Sequence, residues 1–500
     1  QFPARIRSGS LVAKKKRGMP SSFTILLALL AIVAVITVIV SGTSGGAVTA
    51  ARLSDFCTAP ILGFADALPV CLFVMILGGF LGMMTETGAL DNGIAVLVQK
   101  LKGNEIMLIP VLMLIFSLGG TTYGMCEETV PFYALLAATM MAAGFDPMVG
   151  AATVLLGAGC GCLGSTVNPF AVGAAVDALT GVGIEVNQSI IIGLGAVLWI
   201  VTTAMSIVFV MNYAKKVKAD KGSTILSMQE LKDAEEAHGK AASEVHKEVK
   251  LTGRQKGVLI AFAFTFVVMI VGFIPLADLN EGVANFFDAG AVYDADGNAV
   301  VQGWSALITG LPIGQWYFDE ASTWFFLMAV LIGIIGGLSE KQIVNTFITG
   351  AADMMSVVLV IALARGISVL MANTGLDVYV LDAAANALAG LSGVIFAPMS
   401  FLVYFGLSFL IPSTSGMATV SMPIMGPLAV KLGFSPEVMV MIFSAAIGVV
   451  NLFTPTSGAI MGGLALAKIE WTTWLKFALK LIVALSVVCA VILTVACVLL

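Results

Sequence analysis

The sequence predicts an all-α polytopic membrane protein made of two inverted repeats, each with a re-entrant hairpin and a broken helix. Of its 500 residues, 59% are hydrophobic and only 11% are charged, whereas soluble domains are about a quarter charged. Apolar runs repeatedly approach the length of about 20 residues that a helix needs to cross the hydrocarbon core. Polar, glycine-containing interruptions recur at matching places in two apolar halves, as in transporters built from repeats.

The distribution of charge divides the chain and predicts its orientation. Residues 1–21 form a basic tail without an acid, which indicates a cytoplasmic N-terminus. The first membrane repeat covers 22–211, and we interpret its first apolar run as a retained span. A polar linker, 212–255, is expected in the cytoplasm because basic residues flank it. The second repeat covers 256–499 and contains an acidic loop, 278–321, that we expect on the extracytoplasmic side.

Short apolar segments predict the elements of the first repeat. A span near 60–87 precedes an amphipathic interfacial helix at 89–102. Two pieces, 105–118 and 127–143, are short for spans and predict a re-entrant hairpin with a break at 119–122. The repeat is completed by a half-helix at 148–163, a break at 164–169 and a full span at 187–211.

The second repeat has the same order of elements. Spans at 256–277 and 322–338 enclose the acidic loop. A span at 350–373 and an amphipathic helix at 376–389 follow. The two hairpin arms are 393–410 and 417–431, the break is at 451–458, and the last span is 472–499. The first hairpin follows a helix that ends in the cytoplasm, and the second follows a helix that leaves it. The two repeats are therefore expected to be inverted in the membrane.

Two adjacent carboxylates make 121–131 the most unusual stretch of the chain. Glu127 and Glu128 lie within apolar sequence, where an ionised carboxylate is costly and needs a partner, a cavity or a passing solute. Their counterparts in the second repeat, Thr419 and Val420, are uncharged. We interpret the acid pair as a counter-charge for a substrate ammonium or guanidinium, or as a proton-coupling site. Hydration at a hairpin mouth is the alternative.

The interrupted helices supply the other candidate binding groups. A helix end exposes unpaired N–H or C=O groups, which survive in a membrane only around a cavity or a ligand. Helix N-termini favour carboxylates, and C-termini favour sodium or protonated groups. The candidate substrate-binding residues are Thr121, Thr122, Gly124, Glu127, Glu128, Ser165, Thr166, Asn168, Ser413, Thr414, Ser415, Asn451, Thr454, Thr456 and Ser457.

Other isolated polar residues have less specific interpretations. Arg365 could receive a substrate carboxylate or belong to a structural ion pair. Structural roles are expected for Asp66 and Asp177, which also lie in apolar sequence. His238 and His246 are expected at the surface of the linker. The sequence shows no firm metal site, and the candidate positions for sodium are near Thr121, Asn168, Ser413 and Asn451.

The motifs Thr-Thr-Tyr-Gly-Met-Cys-Glu-Glu-Thr-Val-Pro-Phe, Gly-Ser-Thr-Val-Asn-Pro-Phe and Ser-Thr-Ser-Gly-Met resemble the YfcC-like branch of the anaerobic dicarboxylate carrier family. That family is similar to other members of the ion transporter superfamily, and the resemblance covers 22–499. It implies a homodimer in which a mobile transport domain moves against a scaffold domain as an elevator. It also implies binding at the hairpin tips, 121–128 and 413–419, and at the breaks, 164–169 and 451–458. Relatives with this Glu-Glu pair are often assigned to basic amino acids.

These observations predict a secondary active transporter for a small carboxylate-bearing solute in the inner (cytoplasmic) membrane. A basic amino acid, moved by symport or antiport, is the first candidate, and a four-carbon dicarboxylate is the alternative. The absence of a Gly-x4-Gly-Lys-[Ser/Thr] signature argues against ATP-driven transport, and no His-Glu-x-x-His motif supports an enzyme. The expected partners are the solute, membrane lipid and a second copy of the chain, without nucleic acid. No cofactor is expected beyond sodium or a proton as coupling ion.

Overall fold

The computed structural model describes residues 22–90, 92, 93, 96, 104–244, 250–274, 276–279, 281–293 and 299–500. The basic tail 1–21, most of the interfacial helix expected at 89–102, and His246 lie outside these residues. The described part of the chain is mostly helical. Within it, eight helices are long and apolar enough to cross a membrane, in agreement with a multi-pass membrane protein.

The helices of the first half are α1 Ser22–Ser41, α2 Leu53–Asp66, α3 Leu68–Glu86, α4 Leu108–Tyr123, α5 Val130–Ala142, α6 Pro147–Leu163, α7 Ala174–Thr180, α8 Gln188–Ala219 and α9 Met228–Glu244. Three-residue 3-10 turns at Glu105–Met107 and Glu127–Thr129 precede α4 and α5, and a π-helical turn at Pro169–Gly173 precedes α7.

The second half contains α10 Gly253–Phe273, α11 Leu276–Leu279, α12 Glu281–Phe287, α13 Phe318–Gly336, α14 Glu340–Asp353, α15 Met355–Thr374, α16 Leu376–Leu388, α17 Gly393–Leu407, α18 Thr414–Lys431, α19 Pro436–Val450, α20 Gly458–Leu466 and α21 Trp471–Leu499. Between α12 and α13, the short strands β1 Val292–Tyr293 and β2 Ala299–Val301 pair antiparallel.

Helix packing divides the described helices into two groups. The first, which we call the outer bundle, contains α1–α3, α10 and α13–α15. The second, the hairpin bundle, contains α4–α8 and α17–α21. The linker helix α9 packs against α5 of the hairpin bundle. The bundles meet mainly where α15 contacts α20, so a site between them combines side chains from both.

Backbone contact at glycines holds the centre of the outer bundle together. A Cβ added at Gly78 of α3 would lie 2.5 Å from the Gly350 carbonyl oxygen, and one added at Gly350 would lie 2.4 Å from that of Gly78. Further along, a Cβ at Gly63 of α2 would lie 2.3 Å from the Gly366 backbone nitrogen. From Gly63 to Gly78 the residue numbers rise along α2–α3, whereas those of their partners fall from Gly366 to Gly350 along α14–α15. The pair α2–α3 therefore packs antiparallel to the pair α14–α15.

Two nearly fully buried helices, α6 and α19, form the core of the hairpin bundle. Both start in the same way, with a capping side chain followed by proline at the first position of the helix. Asp146 accepts a hydrogen bond from the Val149 N–H, and Ser435 accepts one from the Val438 N–H. These caps satisfy backbone donors that a helix start otherwise leaves unpaired. The matching starts agree with a Gly-Phe-x-Pro pattern that occurs in the sequence at both 144–147 and 433–436.

The first hairpin turns later than the sequence suggests. Helix α4 continues through 119–122 and, with its preceding 3-10 turn, is long enough to count among the membrane-length helices. Glycine at position 120 serves packing, because a Cβ there would lie 2.2 Å from the Ala158 carbonyl oxygen of α6. The chain turns only at Gly124, whose φ of 78° is readily adopted by glycine.

Other boundaries also differ from the expectation. The span expected at 60–87 consists of α2 and α3, and the break at Ala67 precedes a proline near the start of α3. The span expected at 350–373 contains the end of α14 and most of α15, with no local proline to mark the division. Helix α8 continues to Ala219, beyond the start of the expected linker. Lys218 near its end forms an ion pair with Glu105 at 2.6 Å, and a cation there also suits a helix C-terminus.

Candidate functional site

A cavity of about 170 Å³ lies between the two bundles. Both hairpin tips, both helix breaks and part of α15 contribute to its wall. The predicted site residues that line it are Gly124, Glu127, Glu128, Asn168, Arg365, Ser413, Thr414, Ser415, Asn451, Thr456 and Ser457. Stretches hundreds of residues apart thus border one space. Pockets for drug-sized ligands have volumes of about 300–1,000 Å³. This cavity is smaller and therefore suits a small solute.

The two glutamates of the first tip have different environments. Glu128 is 1% exposed, and its Oε2 accepts a hydrogen bond of 2.9 Å from the Cys126 N–H. The carboxylate of Glu128 is therefore hydrogen-bonded to the backbone of its own hairpin tip. Glu127, in the same 3-10 turn, is only partly buried and borders the cavity. Of the two, Glu127 is the carboxylate with more freedom to meet a solute.

The break after α6 is organised by the Asn168 side chain. Its Oδ1 accepts hydrogen bonds from the Phe170 N–H at 2.9 Å and the Ala171 N–H at 3.3 Å. Its Nδ2 donates to Ser165 Oγ at 3.0 Å. Gly124 packs on this amide, because a Cβ at position 124 would lie 2.6 Å from Asn168 Oδ1. The first hairpin tip and the first helix break are therefore fitted to each other.

A second set of hydrogen bonds joins the same two segments behind the cavity wall. Thr121 Oγ1 donates to the Gly164 carbonyl at 2.7 Å, and the Thr166 N–H donates to the Thr121 carbonyl at 2.9 Å. Thr166 Oγ1 also donates to the Thr121 carbonyl at 3.0 Å. Thr121 and Thr166 therefore connect the hairpin to the broken helix and do not line the cavity.

Three further candidates also lie away from the cavity. Thr122 Oγ1 donates back to the Leu118 carbonyl of its own helix at 2.7 Å. Ser165 is buried and donates to the Cys162 carbonyl at 2.6 Å. Thr454 is buried and shares a hydrogen bond of 2.7 Å with the hydroxyl of Thr456, which does border the cavity.

The second tip and second break bring two helix N-termini to the cavity. Ser413 caps α18 by accepting a hydrogen bond from the Gly416 N–H at 3.1 Å. Ser457 precedes α20 without a capping hydrogen bond from its side chain. Asn451 Oδ1 is buried and has no hydrogen-bond partner among the described residues. Since a buried polar atom normally has a partner, this acceptor is suited to a donor group of a solute or to a cation.

Arg365 of α15 is paired with an acid from another helix. Its Nε lies 3.0 Å from Asp66 Oδ2 at the end of α2. Arg365 borders the cavity, whereas Asp66 does not. The structural ion pair that the sequence leaves open for Arg365 is therefore present. Its partner was not predictable, although both residues were visible as isolated charges in apolar sequence. The side chain of Asp177 lies outside the described part of the chain.

The prediction of a surface position is wrong for His238. This residue is buried, and its Nε2 donates to the Leu466 carbonyl at the end of α20, 3.0 Å away. Burial lowers the pKa of His238, whereas the contact with Leu466 acts in the opposite direction. Nearby, Glu230 of the same helix accepts a hydrogen bond from the Glu470 N–H. One face of α9 therefore docks on the hairpin bundle, a contact that the charged composition of the linker conceals.

Comparison with protein families matches residues 46–498 to the family described as DcuC, C4-dicarboxylate anaerobic carrier. The chain belongs to the DcuC family. With its membrane-length helices, this DcuC-family protein is a multi-pass membrane transporter. The family resemblance predicted from the hairpin and break motifs is therefore confirmed.

Two relatives cover most of the DcuC-family chain. An uncharacterized protein of Haemophilus influenzae is 28% identical over 445 residues, which are 89% of this chain and 78% of the relative. The putative basic amino acid antiporter YfcC of Escherichia coli K12 is 27% identical over 440 residues, which are 86% of this chain and 77% of the relative.

Two solved transporter structures show a weaker likeness. MtrF of Neisseria gonorrhoeae, described among antimetabolite efflux pumps, has a TM-score of 0.44 and 16% identity, covering 97% of this chain and 96% of its own. The YdaH transporter of Alcanivorax borkumensis has a TM-score of 0.46 and 15% identity, covering 95% of this chain and 98% of its own.

The contact between the first tip and the first break predicts a site-specific effect at Gly124. Gly124→Ala introduces both an unfavourable positive φ and a Cβ against the Asn168 amide. Gly144→Ala is a matched control, since its φ is also positive, at 87°, but an added Cβ would meet nothing within 4 Å. Both variants should lose about 1 kcal/mol from backbone strain, and Gly124→Ala should lose a further ~1–3 kcal/mol from overpacking. Thermal unfolding of the detergent-purified variants measures the difference, and equal losses would contradict the fitted contact.

Proposed function

We propose that this DcuC-family transporter is a secondary active carrier for a basic amino acid. The charge of the cavity wall carries the proposal. Among the lining residues that the structure describes, the charged ones are Glu127, Glu128 and Arg365. Arg365 is the one basic residue of this described lining, and it already pairs with Asp66 outside the wall, so the acids near the cavity outnumber the bases. A solute with an additional positive charge compensates such a wall best.

The remaining polar groups support recognition of the amino acid backbone. The N-termini of α18 and α20 border the cavity, and helix N-termini attract carboxylates. The unpaired Asn451 Oδ1 is available to an α-ammonium group. In this arrangement Glu127 binds the cationic side chain of the amino acid, and Glu128 stabilises the hairpin tip that contains Glu127. Thr121 and Thr166, which lie behind the cavity wall, support the site by joining the first hairpin to the first broken helix.

We also propose that transport follows the elevator scheme, with the hairpin bundle moving against the outer bundle. The antiparallel contact of α2–α3 with α14–α15 supports inverted repeats. The substrate groups come mostly from the hairpin bundle, as an elevator requires. We place the protein in the inner membrane as a homodimer, with its N-terminus in the cytoplasm. The YfcC relative is named as a basic amino acid antiporter, which favours exchange, and sodium or a proton is the alternative coupling ion.

A four-carbon dicarboxylate carrier is the second candidate function. Arg365 in the wall and the two helix N-termini provide groups for two carboxylates. The description of the family, a C4-dicarboxylate anaerobic carrier, points in the same direction. Against it stand Glu127 and Glu128, which repel a dianion.

Competition between solutes distinguishes the two functions. Purified protein in vesicles loaded with unlabelled arginine should accumulate labelled arginine from outside by counterflow. Excess arginine or ornithine should inhibit this uptake, whereas succinate should not. Counterflow of labelled succinate together with no uptake of arginine would reject the basic amino acid. Non-saturable flux of both solutes would indicate a channel.

Removing either carboxylate should impair transport without unfolding the protein. Glu127→Gln should lower arginine uptake at least about tenfold, comparable to losing one hydrogen bond to a charged group of about 1.5–3 kcal/mol. Glu128→Gln keeps an acceptor for the Cys126 N–H and should also lower uptake. Glu340→Gln, at the exposed start of α14, is the matched control. Wild-type uptake by both cavity variants would remove the carboxylates from the site.

Cysteine labelling tests the proposed orientation. Gln302, beside β2, and Gln229, in α9, are both exposed. In a Cys57→Ser background, which removes the exposed native cysteine, Gln302→Cys should react with an impermeant thiol reagent in intact cells. Gln229→Cys should react only after permeabilisation. The reverse pattern would invert the topology.

A further inference from the structure

We propose that Asp66 is a positioning residue that sets the charge preference of the cavity by holding Arg365. Asp66 lies outside the wall and contacts the Arg365 side chain, which forms part of it. The identity of the solute rests on the proposed function, but the role of the pair does not. Asp66 acts on the solute through Arg365 and not by contact.

The positions of the two residues are fixed by the backbone around them. Gly63 lies one turn before Asp66, and Gly366 directly follows Arg365. A Cβ at Gly63 would lie 2.3 Å from the Gly366 nitrogen, and one at Gly366 would lie 2.7 Å from the Ala59 carbonyl oxygen. Helices α2 and α15 therefore touch through their backbones at this level, and neither can turn freely to separate the pair.

The contact occupies one edge of the guanidinium. Asp66 Oδ2 meets Nε at 3.0 Å, and no second acid pairs with Arg365 in the described part of the chain. The remaining N–H groups of Arg365 stay available on a side chain that borders the cavity. The side chains are 25% exposed for Arg365 and 53% for Asp66, so the pair is not sealed off from the space around it.

The charge that a solute meets depends on this pair. With Asp66 ionised, the positive charge of Arg365 is largely compensated from behind, and the wall favours a cation through Glu127 and Glu128. Without the Asp66 charge, Arg365 offsets one of the two glutamates. An opposite charge within about 4–6 Å changes the preference for the charged form of a group by about tenfold or more. We expect a change of this size in selectivity.

Arginine and citrulline provide the test, because they have nearly the same shape and citrulline lacks the guanidinium charge. Inhibition constants of both are measured against counterflow of labelled arginine by the full-length protein in vesicles. Asp66→Asn should reduce the preference for arginine over citrulline by about tenfold. Asp66→Glu should retain most of the preference. Asp55→Asn, at the other end of α2, is the matched control and should not change it.

The variant Arg365→Gln separates a charge effect from a structural one. It leaves Asp66 uncompensated, so the preference for arginine should stay the same or rise. Adding Asp66→Asn to Arg365→Gln should give a much smaller reduction than Asp66→Asn gives in the wild type. The inference is overturned if Asp66→Asn and Arg365→Gln lower the preference for arginine over citrulline by the same factor. It is also overturned if Asp66→Asn leaves this preference unchanged in a protein with normal thermal unfolding. Should Asp66→Asn fail to fold, a fall in preference with Arg365→Gln overturns the inference and a retained preference supports it.

Failure of the proposed function gives a different result. A wild-type protein that takes up succinate and not arginine rejects the basic amino acid. The pair is then tested with succinate against succinamate, in which an uncharged amide replaces one carboxylate. Asp66→Asn should raise the preference for succinate by about the same factor, since the freed Arg365 attracts the second carboxylate. An unchanged preference would overturn the role of Asp66.

Discussion

The constraint on which the structure depends is that polar groups within an apolar protein need partners. Asn168 supplies acceptors and donors where α6 stops. Glu128 is satisfied by the backbone of its own tip. Asp66 and Arg365 compensate each other across two helices. At the first hairpin tip and the first helix break, a side chain thus satisfies backbone groups that the interruption exposes. At the second break, the buried Asn451 Oδ1 is left without a partner among the described residues and borders the cavity.

The division of labour among the hydroxyls follows from the same constraint. Thr121 and Thr166 use their hydrogen bonds to join the first hairpin to the first broken helix. Ser413, Thr456 and Ser457 instead lie at the cavity wall. These hydrogen bonds join the first tip to the first break, so the candidate binding groups Glu127 and Asn168 border the cavity together. Hydrogen bonds behind the wall of a binding site are one way to preorganise its groups.

Much of this arrangement was predictable from local patterns, and the remainder depends on distant contacts. Two breaks, at 164–169 and 451–458, were visible because proline, glycine and hydroxyl residues interrupt long apolar runs. The end of α4 at Tyr123 was not, because the packing of Gly120 on Ala158 makes a glycine acceptable inside a helix. The docking of His238 was missed because a polar, charged helix shows no sign of its buried face. The partner of Arg365 lies in another helix of the opposite half, and one sequence contains no information on that pairing.

The docking of α9 has a mechanical consequence. This helix belongs with the hairpin bundle, through His238 and Glu230, whereas the next helix, α10, belongs to the outer bundle. Glu244, the last residue of α9, and Gly253, the first residue of α10, are nine residues apart in the sequence. A chain of this length spans at most about 30 Å. The relative positions of the two bundles are therefore limited to those that keep these two helix ends within that distance.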